Sequence, residues 1–379
     1  MIKFQWWKVA FIYAMCLIGL VVALPNVLTP DQREALPSWF PKKTVNLGLD
    51  LQGGSHLVLE VDLDTAIRRS YDNLEDEVRS LLRKDGFHYR DMSSKGMNGI
   101  SFLAFKPDEV AAIKTLLTKN LRDTQISEEN GTFSIALTPQ RLTEMQVHAV
   151  DQTLEILRMR VDEFGVAEPV IQREGVNRVI IELPGIEDPA RAKGIIGRTA
   201  QLNFHMVDES ASVEEALRVG PPAGSAIFYE QVPEGQELPI VLRKRPAISG
   251  ENLAQARSGF DQHGSPAVNI TFDNRGTLKF ADLTREHVGK RMAIVLDGVV
   301  YSAPVLREPI LGGSAEITGS FTVKEAEDLA MVLRSGALPA PVKIVEERTV
   351  GPSLGQDSIE AGTTSVILGF VFVLVIMAI

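Results

Sequence analysis

The run Gly351-Pro352-Ser353-Leu354-Gly355 fits G-x-S-x-G, the pattern that presents a serine nucleophile on a sharp strand-to-helix turn. In the folds that use it the triad histidine follows the serine in the chain. Here the last histidine is His287, so that order is excluded. Proline beside the serine also suits the elbow poorly. The other histidines are His56, His88, His148, His205 and His263, and no two of the set stand at the close spacing of a helical zinc site. They read as surface or locally bonded residues. The segment His287-Val288-Gly289-Lys290-Arg291 lacks the glycine-rich lead and the Ser/Thr after lysine that a phosphate loop needs. The single cysteine, Cys16, allows no disulfide or cysteine metal site within one chain. No catalytic group, metal or other cofactor is implied.

Two other patterns carry more. In Leu47-Gly48-Leu49-Asp50-Leu51-Gln52-Gly53-Gly54, leucines alternate with small or polar residues before a double glycine. The backbone reads as a strand entering a tight turn, and the glycines allow close approach of another segment. Asp50 is a capping residue or an interface contact; no acid or base stands near it in sequence to make it catalytic. The pair Asp297-Gly298 is a two-residue hairpin turn between Met292–Leu296 and Val299–Ala303. Its apolar residues Ile294, Leu296, Val299, Tyr301 and Val305 have two readings: core packing, or a groove for an extended peptide.

The elements around these patterns follow from periodicity. Thr138 caps a helix with Pro139 at its first position and Gly165 at its end; Val147, Val150, Leu154, Leu157, Val161 and Phe164 make its apolar stripe. Strands follow over 169–173 and 178–183, then a helix from Asp188-Pro189 to about Gly197, then a strand carrying Leu202, Phe204 and Met206. With a first strand over 56–62, the order β-α-β-β-α-β is the ferredoxin-like arrangement. Residues 91–137 form a small α+β unit with an Asn130-Gly131 hairpin. Thr322 and Glu325 make a capping box for a helix that Gly336 ends. A last strand over 341–350 is placed to return to the first sheet.

The ends point to a membrane. Val9–Leu24 carries no charge, Lys3 and Lys8 precede it, and Trp6 and Trp7 sit at its edge. Basic residues favour the cytoplasmic side and tryptophan the interface, which puts the following domain outside the cytoplasm. A cleaved signal peptide is the competing reading, but no small-x-small site follows the run. Val366–Ile379 is a second apolar run of 14 residues. It reads as a buried tail helix or, by preference, as a membrane helix cut off midway. The net charge of -10 argues against a nucleic-acid partner.

These residues resemble the SecD family of protein-export membrane proteins. The resemblance rests on Leu47–Gly54, Leu183-Pro184-Gly185-Ile186, Gly197-Arg198-Thr199-Ala200, Leu296–Pro304, Leu333–Pro339 and Arg348–Gly355, in that order along nearly the whole chain. It implies motif or interface roles for Gly48, Asp50, Gln52, Gly53, Gly54, Arg348, Gly351 and Gly355. It implies an N-terminal membrane anchor over 1–28, a linker over 29–42, and a ferredoxin-like periplasmic base over 43–204 with an extra elaboration over 63–138. An inserted α+β head would span 205–336, hinged near His205 and near Ser335-Gly336-Ala337. Residues 337–355 would return to the base, and 356–379 would start a truncated second membrane helix. Six membrane helices are expected in the whole protein, the later ones carrying the proton-conducting charges. The implied partners are SecF, the SecYEG channel, the lipid bilayer and a translocating unfolded preprotein, in the bacterial inner membrane, with the proton-motive force driving export. An efflux-type transporter of the same resistance-nodulation-division superfamily is the alternative, disfavoured by an aromatic content of 6%. A membrane-anchored enzyme is a third class, for which the sequence offers no cluster of titratable groups.

Overall fold

The computed structural model describes residues 6–26, 28, 32, 37, 40, 48–94, 96–166, 168–186, 188–210, 212–231, 237–319 and 321–378. The linker expected over 29–42 lies almost wholly outside these residues, as does Leu47. The chain divides into two units, 1–53 with 350–379, and 54–349.

In the first unit the helices Trp6–Ala23 and Pro352–Ala378 are long and apolar enough to cross a bilayer, with 18-residue windows of mean hydropathy 1.9 and 2.2. The second window runs Ile359–Ile376, so the 14-residue run counted from Val366 understates it. The reason is local. Thr363 and Ser365 donate their hydroxyls to Glu360 O (3.1 Å) and Ala361 O (2.8 Å) on the preceding turn, which lets polar residues continue an apolar helix. Eighteen residues reach about 27 Å, close to the hydrocarbon thickness.

The second unit is α+β. Its base is a four-stranded sheet that starts with β1 (Gly54–Val61). Asp62 then caps the helix Leu63–Lys84, accepting from Thr65 N. This helix leads into a separate sheet of β2 (Tyr89–Ser94), β3 (Ile100–Ala104), β4 (Thr124–Glu129) and β5 (Thr132–Leu137), ordered β2-β3-β5-β4. Asn130 and Gly131, at φ 51° and 79°, make the β4–β5 turn. Tyr71, Val78, Leu82, Phe102, Ile113, Leu117 and Phe133 fill the core of this small domain.

The chain returns to the base through the helix Pro139–Glu163, capped by Thr138, then β6 (Val170–Glu174), β7 (Arg178–Pro184) and the helix Pro189–Ile196. Val150, Leu157, Val161, Ala192 and Ile196 of the two helices pack on Leu57, Leu59, Val179, Ile181 and Leu183 of the sheet. The sheet order is β17-β1-β7-β6, where β17 is Val342–Val350. The strand carrying Leu202, Phe204 and Met206, expected to complete this sheet, does not join it. It is β8 (Leu202–Met206), and β17 takes its place in the base.

The elements from β8 to the helix Val323–Ser335 build the inserted domain, while Leu338 and Ala340 beyond it pack in the core of the base. The inserted domain contains β8, the helix Val213–Val219, β9 (Ser225–Gln231), β10 (Glu237–Arg243), β11 (Ile248–Ser249), β12 (Leu253–Phe260) and β13 (Pro266–Phe272). The helix Asn274–Glu286, β14 (Met292–Leu296), β15 (Val299–Ser302), β16 (Ser314–Thr318) and the helix Val323–Ser335 follow. One sheet runs β10-β9-β15-β14-β8-β11, the other β12-β13-β16. The larger sheet curls: Val207, just past β8, bridges to Leu242 of β10 around a core of Ile240, Leu242, Ala293, Val295 and Val300. Its other face packs Phe204, Ile294 and Leu296 against Val268, Ile270, Phe272, Phe280, Leu329 and Leu333.

Candidate functional site

The first candidate segment folds as one helical turn, not as a strand. Gln52 N–H donates to Gly48 O (3.0 Å) and Gly53 N–H to Leu49 O (2.9 Å), giving the helix Leu49–Gln52. Four residues are too few for leucine alternation to fix a period, and the local hydrogen bonds win. Gly53 and Gly54 take φ 74° and 138°, which an L side chain resists, so the double glycine ends the turn and opens β1. Within the first unit the helix Leu49–Gln52, which holds Asp50 and Gln52 between Gly48 and Gly53, packs beside the helix Pro352–Ala378, which carries Gly355. Gly351 stands between β17 and that helix, and Arg348 is exposed on β17.

The second candidate is the hairpin. Leu296 pairs with Val299 across Asp297 and Gly298, at φ 50° and 85°, a type I′ geometry. The turn is tethered. The Asp297 carboxylate accepts from Ala200 N (3.0 Å) and Gln201 N (2.8 Å), and Asp297 N donates to Gln201 O (3.1 Å).

The five apolar residues part company here. Ile294 and Leu296 are buried in the larger core, because even-numbered residues of β14 face the second sheet, so a peptide could reach them only by opening that core. Val299 and Val305 are exposed, and Tyr301 is half-buried, its ring stacked on Phe321 at 5.5 Å. Burial pushes the Tyr301 phenol above its ordinary pKa; nearby Arg198 opposes this, and Asp297 and Glu325 add to it. Tyr229, which the sequence reading missed, pairs with Val299 across the β9–β15 ladder and is 46% exposed. Paired residues share a face, so Tyr229, Val299 and Tyr301 form one apolar strip beside Phe321.

The hinge residues also differ. His205 lies inside β8, paired with Ala293, and its Nδ1–H donates to Arg243 O at 2.8 Å. A buried, paired strand residue is a poor pivot. The chain crosses between the two sheets earlier, over 197–201, where Ala200 takes φ 55°. Ser335, Gly336 and Ala337 do lie at the other crossing: Gly336, at φ 93°, ends the helix Val323–Ser335. The residue beneath both crossings, Arg160, was not singled out from sequence. It is 0% exposed, and burial holds its guanidinium down at about 10, still charged at neutral pH. The available signal was a charge on an apolar stripe, three residues after Leu157.

The protein translocase subunit SecD of Magnetococcus marinus is 41% identical to this chain over 377 residues, covering 98% of the chain and 71% of the relative. The chain belongs to the SecD family. The SecD subunit of Rickettsia felis is 39% identical over 372 residues, again 98% of the chain and 70% of the relative. Family models match in three places: the SecD/SecF GG motif over 38–62, the N-terminal part of the P1 domain of protein translocase subunit SecDF over 150–209, and the SecDF P1 head subdomain over 225–340. The first covers the glycine-ended turn, and the last covers the hairpin. A solved crystal structure of SecDF in a super-membrane-facing form aligns with 94% of this chain at 32% identity and a TM-score of 0.51. This chain spans 38% of that SecDF chain.

Proposed function

We propose that this chain is the anchored, outward-facing part of an auxiliary subunit of the protein translocase, which binds unfolded preprotein in the periplasm and promotes completion of export. The observation that carries the reading is membership of the SecD family, in a chain whose α+β unit is bracketed in sequence by two span-length apolar helices. On this reading it sits in the bacterial inner membrane with a SecF-type partner beside the SecYEG channel. The inserted domain, from β8 to Ser335, is the head that moves. The proton-motive force acts through further membrane helices of the whole protein. The strip of Tyr229, Val299 and Tyr301, with Val305, is the surface offered to polypeptide. Unfolded chains present scattered apolar side chains, and an open apolar strip suits them better than a closed pocket.

Photo-crosslinking tests this directly. A benzophenone amino acid at position 301 of the full-length protein is expected to crosslink to a stalled preprotein, with a yield that changes when an ionophore collapses the gradient. Crosslinks from the base and none from position 301 would move the binding surface elsewhere.

A further inference from the structure

Two stretches of backbone, 197–201 and 335–341, join the base to the inserted domain. They run side by side, with Leu338 N–H donating to Thr199 O at 2.9 Å. Beneath them the Arg160 guanidinium donates to both. Its Nη1 reaches Ile195 O (3.1 Å), Ile196 O (3.0 Å) and Arg198 O on the entry side. Its Nη2 reaches Gly336 O (3.0 Å) and its Nε reaches Ser335 Oγ (3.3 Å) on the exit side. Apart from the Ser335 hydroxyl, these acceptors are carbonyls at or just past the C-terminal ends of the helices Pro189–Ile196 and Val323–Ser335, where unpaired C=O groups and the helix dipoles both favour a cation. A planar fork of five donors can satisfy both ends at once, which an ammonium cannot. Above, Arg69 repeats the span, donating to Pro339 O (3.1 Å) and Gln201 Oε1 (2.8 Å).

The surface beside this joint is of a different kind. The helix Val323–Ser335 meets the base through a small apolar cluster of Ile195, Ala200 and Val332 with Phe164 and Met331. Ion pairs ring it: Arg191–Asp328 at 2.6 Å, Lys324–Asp188 at 3.8 Å, and Arg334–Glu163. A small apolar centre with a charged rim is the character of interfaces that let domains move.

We infer that Arg160 is the pin of a two-stranded joint, binding entry and exit of the inserted domain into one unit so that the two crossings loosen together while the ion-paired rim opens separately. The inference rests on the proposed function only for the use to which the movement is put; the joint itself is argued from its contacts. Arg160 is in these terms a positioning residue.

Hydrogen exchange read by mass spectrometry, on the full-length protein in membrane, tests it. In Arg160→Lys, amides of 197–201 and 336–338 are expected to exchange at least tenfold faster together, with β7 and β13 unchanged. Loosening of one crossing alone, or an equal rise in β7 and β13, overturns the pin. The pair of rim variants Glu163→Gln and Asp328→Asn supplies the second arm, and decides the matter if the Arg160 variant does not fold. In the rim double variant the helix Val323–Ser335 is expected to exchange faster while both crossings stay protected; crossings that loosen in step with the helix overturn the proposal. Preprotein export measured in the same cells separates the two readings. The exchange pattern without any export defect on depletion of the protein would sink the functional reading and leave the joint standing.

Discussion

A charged or polar side chain survives in a core only with its partners, and His205 and Arg160 meet that demand differently. For His205, burial lowers the pKa, and its bond to Arg243 O opposes the shift only in part. The unfolded chain takes up a proton below about 6.5, whereas the folded protein resists until lower pH. The His205 contribution to stability is therefore complete above that value and falls as the pH drops through it. Thermal unfolding between pH 5 and pH 8 is expected to give a melting temperature that declines on the acid side, and a shallower decline in His205→Gln. Equal slopes in both proteins would remove the histidine from the account. The hairpin residues divide by the same burial logic. Leu296→Ala, deep between the two sheets, is expected to cost about 2–5 kcal/mol in urea unfolding, while Val305→Ser, at 50% exposure, stays within about 0.5 kcal/mol. Similar losses at both positions would show that the burial does not control stability here.

At the scale of elements, the segments that announce themselves locally fold as read. Thr138 and Pro139 start a helix, Thr322 and Glu325 close a capping box, and Asn130-Gly131 and Asp297-Gly298 turn hairpins. Each signal acts over four residues or fewer, so a neighbour in space has little power to overrule it. The choice of sheet is another matter. The alternation of Leu202, Phe204 and Met206 gives a strand but no partner, and β8 finds β14 rather than the base because the buried face of Phe204 is matched by Phe272 and Phe280 across the insertion. For the same reason the Asp297 tether was invisible: Asp-Gly predicts the turn, while the carboxylate's acceptance from Ala200 and Gln201 needs the fold. Two hydrogen bonds to an ionised acceptor contribute more than neutral ones. Asp297→Asn, which keeps the turn chemistry but removes the charge, is expected to lower stability by about 1–3 kcal/mol. Hydrogen exchange should then accelerate at Ala200 and Gln201. A stability loss without faster exchange at those amides would assign the cost to the turn instead.

The whole molecule carries two insertions on one ferredoxin-like base, each with a core of its own. One core cannot be tested through another's packing, so the proposed movement of the inserted domain has to be probed across the surface where it meets the base. Glu163 and Arg334 are paired across that surface, and both are partly exposed. With cysteine at each of these two positions, and Cys16→Ala to remove the native thiol, a short bis-maleimide would hold the helix Val323–Ser335 on the helix Pro139–Glu163. Surface ion pairs of this exposure contribute at most about 1 kcal/mol, so losing the pair itself should leave folding intact. If polypeptide is handled by swinging the inserted domain, the tethered full-length protein should export preprotein several-fold more slowly than either single-cysteine protein treated alike. A cleavable linker should restore the rate once cut. The comparison separates motion from binding: the photo-crosslink from position 301 should persist in the tethered protein and lose its response to the ionophore. Export at an unchanged rate with the tether complete would mean that the domain does its work without leaving this surface.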